Sequence, residues 1–184
     1  MSVTIIAGVP GVGLSTLAQT ARRQLDSDYR LINFGDVMLE QAAMDDLAKN
    51  RSELAALSRH ETRHLQRRAG EYISTAAREA TILLTTHLTV KTAAGFLPGL
   101  PGEVLHDLSP SQFVLVEAQT ATIQNRRQES NRTYNTASEI AIEFEQDLSR
   151  TASLQYATAT NVPIQHIENE GEIDEAAVSL IEVL

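Results

Sequence analysis

The residues with the clearest chemical potential lie in one short run, Gly8-Val9-Pro10-Gly11-Val12-Gly13-Leu14-Ser15-Thr16. The run fits the phosphate-loop pattern G-x-x-x-x-G-K-[ST] everywhere except at the lysine, where Leu14 stands. Glycines let successive N–H groups turn inward around a phosphate, and a helix beginning there points its positive end at the same anion. Ser15 would offer its hydroxyl to Mg²⁺, with Thr16 beside it as a further hydroxyl. The expected ligand is therefore ATP with Mg²⁺, held by Gly8 through Thr16. A lysine at position 14 would neutralise the β- and γ-phosphates, so another cation must take that part.

Such a loop works only between a strand and a helix, and the flanking sequence supplies both. Ser2 to Ala7 is short, apolar and β-branched, which predicts a buried strand, and Ser15 to Leu25 carries Leu17, Ala21 and Leu25 at helical spacing. Arg30 to Phe34 predicts a second strand. Asp36 to about Ala80 reads as helices with breaks near Asn50 and Ser58, and Leu65, Ala69, Tyr72, Ile73 and Ala76 mark the buried stripe of the last one. Thr81 to Thr86 and Gln112 to Glu117 are the third and fourth strands, with a rigid loop over Gly95 to Gly102 between them. A helix over Ala121 to Glu129, a polar break at Ser130 to Thr136 and a long helix with Ile140, Phe144, Leu148 and Ala152 on one face come next. Val162 to Ile167 gives a fifth strand, with its proline near the start or on an edge, and Ile173 to Leu184 a closing helix. Strand, helix and strand in alternation predict an α/β fold, a P-loop NTPase three-layer architecture with a five-stranded parallel sheet flanked by helices.

Composition bounds the partners. The 184 residues suit one domain, and with no cysteine there are neither disulfides nor thiolate metal sites. No run approaches the roughly 18 apolar residues of a membrane span, and no basic leader precedes an apolar stretch, so the expectation is a cytoplasmic protein. A formal charge of -9 argues against a nucleic-acid partner, while free nucleotides need only a local cluster of cations. Lys49 and Lys91 are the only lysines; acid excess with scarce lysine fits a salt-rich cytoplasm and GC-rich codon usage equally.

Four motifs in order extend the loop. They are Gly8 to Gly13, then Asn33-Phe34-Gly35-Asp36-Val37-Met38, then Thr86-His87-Leu88-Thr89-Val90-Lys91-Thr92, then Gly95-Phe96-Leu97-Pro98-Gly99-Leu100-Pro101. With Gln66-Arg67-Arg68-Ala69-Gly70, Arg126-Arg127, Arg150 and the closing helix, the chain resembles archaeal-type adenylate kinase over almost its whole length. The resemblance implies a reversible reaction, MgATP plus AMP to two ADP, and a homotrimer. It implies an AMP-binding helical lobe over about 36–70, in which Asn33, Phe34, Gly35 and Met38 match the start and Arg51 a later arginine. It also implies a short lid over about 126–136, and puts the stretch containing His87 and Lys91 beside both phosphate chains. The chain departs from the family at Leu14, and at Thr85, where an aspartate usually precedes the Thr-His pair.

Phosphoryl transfer needs positioning and charge neutralisation, so forked donors are the side chains to seek. Arg126, Arg127, Arg132 and Arg150 are the candidates, although a solvated helix face explains the first two almost as well. Lys91 is the candidate to replace the missing loop lysine, against an ordinary surface lysine. Glu117, ending the fourth strand, is a second candidate for the carboxylate near the metal. His87 is a phosphate contact or a loop cap, and Asp36 an N-cap or a ligand. Arg59, Arg63 and Arg67 read as an exposed stripe, and Glu139, Glu143, Glu145 and Asp147 as a hydrated surface. Two other readings stay open: a kinase with UMP, CMP or dAMP as acceptor, and a nucleotide binder that has lost catalysis.

Overall fold

The computed structural model describes residues 2–92, 95–130 and 138–184. Strand β1 (Val3–Ala7) is buried along its whole length because helices cover both faces of the sheet it centres. Helix α1 (Leu14–Gln24) returns the chain to β2 (Tyr29–Asn33), and α2 (Phe34–Met44), α3 (Arg51–Ala56) and α4 (Arg59–Ala76) stack before β3 (Thr81–Thr86). A hairpin of β4 (Thr89–Thr92) and β5 (Gly95–Pro98) and a short α5 (Gly102–Leu108) lead to β6 (Gln112–Glu117). The chain closes with α6 (Thr120–Glu129), α7 (Glu139–Thr160), β7 (Ile164–Glu168) and α8 (Ile173–Glu182).

The five main strands run parallel in the order β2-β3-β1-β6-β7, with Ile5 in register with both Leu84 and Phe113. Successive crossovers thus build to one side of β1 and then to the other, which sets the ligand crevice at its carboxyl end. Side chains alternate between the two layers as the pleat requires. Val3, Ile5, Ile82, Leu84 and Phe113 face Leu65, Ala69 and Ile73 of α4, whereas Ile6, Leu83, Val114 and Val116 face Leu17 of α1 and Leu180 of α8. Pro163 sits just before the edge strand β7, where its missing N–H costs no ladder bond.

Several expectations need correction. Phe34 opens α2 instead of ending β2, because Asn33 caps that helix by accepting from the Asp36 N–H at 3.0 Å; the N-cap is thus Asn33 and not Asp36. The Gly95 to Gly102 stretch is half strand: β5 pairs antiparallel with β4, and only Gly99 to Pro101 bends freely of a ladder. That bend is fixed from afar, by the Gln66 amide donating to the Gly99 carbonyl at 3.1 Å and the Tyr156 hydroxyl donating to the Leu100 carbonyl at 3.0 Å. Burial raises the pKa of that Tyr156 hydroxyl, so it stays a donor. Tyr72 is exposed, off the buried stripe of α4.

Helix α7 departs furthest from expectation. Ile140 and Phe144 are 83% and 53% exposed, while Ile142, Glu145, Gln146, Ser149, Ala152 and Ser153 are buried. Its inner face is polar because it packs on polar groups: the Arg127 guanidinium meets the Glu145 carboxylate at 2.6 Å, and both residues are 8% exposed. Glu145 is therefore not part of a hydrated surface. Phe144 instead meets Phe96 of the hairpin edge to face at 5.8 Å. Removing one partner of a buried pair strands the other charge, so Glu145→Ala should lower stability by about 3–5 kcal/mol. Urea denaturation will measure this, and Glu145→Gln, which keeps an acceptor for Arg127, should lose less.

Candidate functional site: a phosphate cradle with anchored carbonyls

Between β1 and α1 the loop turns through two left-handed glycines, Gly11 at φ 88 and Gly13 at φ 89. Neither has room for a side chain. A Cβ on Gly11 would lie 2.7 Å from Arg127 Cγ, and one on Gly13 would lie 2.5 Å from Asn169 Nδ2. The backbone here is bent by its own torsions and enclosed from outside by side chains of distant segments.

Those side chains all do the same thing: they donate to loop carbonyls. His87 Nδ1 lies 2.6 Å from the Gly8 oxygen, which makes that nitrogen the protonated one. Arg127 Nε donates to the Pro10 oxygen at 2.8 Å. The Val12 oxygen accepts twice, from Arg126 Nη1 at 3.1 Å and from Asn169 Nδ2 at 2.8 Å. The Val9 oxygen takes the Val12 N–H at 3.2 Å, closing the turn. The carbonyls of Gly8, Pro10 and Val12 are thus committed to donors from other segments; Pro10 has no N–H and the Val12 N–H is taken by Val9, which leaves the amides of Gly11 and Gly13 to form an anion nest.

Helix α1 completes the cradle. Its N-cap, Gly13, makes no side-chain cap bond, and the first-turn amides of any helix lack intrahelical partners, so those of Leu14, Ser15 and Thr16 are open to an anion. Ser15 and Thr16 are exposed there, while the Leu14 side chain is buried in the apolar layer with Val12 and Leu17. Leu14 thus contributes its backbone alone. A hydrated Mg²⁺ takes few protein ligands and several phosphate and water oxygens, and the exposed Ser15 hydroxyl fits that need. Among the described residues there is no group of three or more His, Asp or Glu arranged to hold a metal.

The other expected residues are distributed as follows. Arg126 and Arg127 lie on α6 against the cradle, joined by His87 from the end of β3. Lys91 is on the hairpin, its ammonium 5.9 Å from the centre of the Phe96 ring. Arg150 is bound to three carboxylates, Glu117 at 2.8 Å, Glu143 at 2.9 Å and Asp147 at 2.7 Å. The bond to Glu143, aided by Asp147 and Glu117 and opposed by partial burial, raises its pKa further. Glu117 turns its second oxygen to His166 Nε2 at 2.9 Å, so neither of its oxygens faces the cradle freely. Glu117, Glu143, Arg150 and His166 line a cavity of about 460 Å³ that also includes Glu168 and Glu170. With four carboxylates against one arginine and one histidine its net charge is negative, so Arg150 would meet a phosphate only after releasing its carboxylates.

On the side of β2, Phe34 and Met38 are buried in the core layer, which leaves Asn33, Gly35 and Arg51 as the groups that segment presents. Arg51 lies across Gly35, its Nη1 3.0 Å from where a Cβ would stand, and pairs with the Asp36 carboxylate. Thr85 links β2 to β3, accepting from the Asn33 amide at 3.2 Å. Arg132, with all of 131–137, lies outside the described residues. Asn169 was missed in the sequence; its place just past a strand's carboxyl end was the available signal.

A family model described as AAA domain matches residues 7–143. Adenylate kinase from Pyrococcus abyssi is 40% identical over 99% of this chain and 94% of its own. That of Methanothermobacter thermautotrophicus is 39% identical over 97% and 96%, and that of Methanopyrus kandleri 39% over 99% and 97%. In fold, the chain is similar to shikimate kinase from Bacteroides thetaiotaomicron, with a TM-score of 0.59 at 14% identity, covering 99% of this chain and 97% of the other. With a five-stranded parallel sheet, a phosphate cradle after its first strand and this degree of identity from end to end, the chain belongs to the adenylate kinase family.

Proposed function

We propose that the protein transfers the γ-phosphoryl group of ATP to AMP, reversibly, giving two ADP. The observation that carries this reading is the cradle itself: carbonyls anchored from other segments, two left-handed glycines and an uncapped helix start, in a chain whose family relatives are adenylate kinases. An AMP phosphate oxygen forms the new bond to phosphorus as the bond to the β-phosphate oxygen breaks. Charge grows on that leaving oxygen, next to the loop amides that stabilise it.

Cations divide the remaining work. Arg126, half-buried and bonded to the Val12 carbonyl, is among the described residues the guanidinium nearest the Gly13 turn and takes the charge role of the absent lysine. Lys91 serves after it leaves the Phe96 ring, and Arg150 after it exchanges its carboxylates for phosphate oxygens. Arg51 receives the AMP phosphate by giving up Asp36, within a substrate lobe formed by 36–70. Arg127 is satisfied by Glu145 and Pro10 and acts by holding the loop. Ser15 would hold Mg²⁺, which supplies charge neutralisation on the phosphates when bound. The setting is the cytoplasm, and the assembly a trimer that covers exposed Ile140 and Phe144 of α7.

A coupled assay over a panel of monophosphates should find AMP the preferred acceptor at saturating MgATP; preference for UMP, CMP or dAMP would reject the assignment. Arg126→Ala should lower kcat by on the order of 10² to 10³, the usual effect of losing one charge-stabilising donor. Lys91→Ala should lower it less, and the opposite ranking would return the role to Lys91. Analytical ultracentrifugation should give three times the 20.1 kDa chain mass; a monomer at micromolar concentration would remove the trimer.

A further inference from the structure

We propose that Asn169 and Glu170, adjacent residues after β7, are positioning residues for ATP binding, one holding the phosphate loop directly and the other through α6. The proposal rests on the kinase reading for its kinetic readout, and on geometry for the residues.

Asn169 is 1% exposed. Its backbone N–H is fixed to the Glu117 carbonyl at 2.8 Å, and its amide Nδ2 donates to the Val12 carbonyl at 2.8 Å. Its Oδ1 is buried with no hydrogen-bond partner among the described residues. The side chain therefore makes one donor bond while leaving a buried acceptor unsatisfied at a cost in stability, so the bond to Val12 is the favourable part of its placement. The reverse orientation would set two oxygens against each other. Gly13 has no space for a Cβ while Asn169 Nδ2 is there, so the turn and the amide fit only together.

Glu170 works one step further out. Helix α6 begins at Thr120 without a side-chain cap from its own N-cap, Gln119. Glu170 provides the cap from another segment: its carboxylate accepts the Gln119 N–H and, at 2.9 Å, the Thr122 hydroxyl. A carboxylate there satisfies an open donor and opposes the positive end of the helix. This helix carries Arg126 and Arg127, whose donors hold Val12 and Pro10. Two neighbouring residues thus fix the loop by two routes, and both routes converge on the Val12 carbonyl.

Asn169→Asp keeps the shape but replaces the donor with an oxygen facing the Val12 carbonyl. It should weaken ATP binding in equilibrium dialysis by roughly tenfold or more, the effect of one buried bond turned unfavourable. The KM for ATP should rise in parallel while the KM for AMP stays within about twofold of wild type, since Asn169 is remote from the Arg51 segment. Glu170→Ala should raise the KM for ATP in the same selective way, and Glu170→Gln, which still accepts a bond, should restore most of it. Unchanged ATP binding in folded Asn169→Asp overturns the proposal, as does an equal rise in both KM values. If Asn169→Asp does not fold, the Glu170→Ala and Glu170→Gln pair decides, and lack of selectivity or of rescue overturns it. Wild-type protein that retains ATP but makes no ADP from ATP and AMP would instead defeat the kinase reading, leaving the dialysis comparison to judge the two residues.

Discussion

A peptide loop grips an anion only if its amides point one way, and a free loop has no reason to keep them so. Here the constraint is met by anchoring the opposite groups. The carbonyls of Gly8, Pro10 and Val12 are drawn outward by His87, Arg127, Arg126 and Asn169, which come from the ends of β3 and β7 and from α6. Each bond is modest in itself, about 1 kcal/mol for a neutral pair and more where the donor is charged. Together they fix the torsions of the loop before any ligand arrives, so binding does not have to bear that ordering cost.

The same anchors explain how a chain of net charge -9 can offer a site for a triphosphate. Its arginines near the sheet's carboxyl edge are not diluted across the surface but paired. Arg127 is neutralised by Glu145 in the interior, Arg150 by the exposed Glu143 and Asp147 and the more buried Glu117, and Arg51 by the exposed Asp36. The buried pair is a fixed part, because separating it would strand a charge in a poorly solvated place. The exposed pairs are exchangeable, since water and salt screen them and a phosphate competes on nearly equal terms with a carboxylate. Burial thus separates the arginine that shapes the loop from those proposed to move to a ligand.

What the sequence disclosed follows the same division. Strands β1, β3 and β6 were legible because a strand buried on both faces must be a continuous apolar run, and the loop was legible because its glycines are local requirements. Helix α7 was misread because Glu145 and Ser149 look like surface residues unless their partners are known, and Arg127 stands 117 residues from the carbonyl it holds. The hairpin reads as a loop because its Gly and Pro are turn residues, while its order comes from Phe144 and that of the bend after it from Gln66 and Tyr156. Asn169 gives one local signal, its place past a strand's carboxyl end, and that is masked because an Asn before Glu and Gly there also reads as a turn. The family resemblance supplied the identity of the enzyme, but not the bonds that make its cradle rigid.

Leu14 brings these strands of argument to one point. A lysine at that position belongs to the loop itself, whereas the Leu14 side chain is buried with Val12 and Leu17, where a charge would be costly. Burying a leucine contributes about 1.5–3 kcal/mol and secures the start of α1, the helix end that faces the phosphates. The position thus trades a local charge for local rigidity. The charge must then come from another element; Arg126 on α6, bonded to the Val12 carbonyl, is the cation proposed for it, and it stays there only while α6 is held in place. On the proposed reading, recognition of the anion is a property of tertiary packing: the loop motif sets where the phosphates would lie, and residues far along the chain determine how firmly the loop is held.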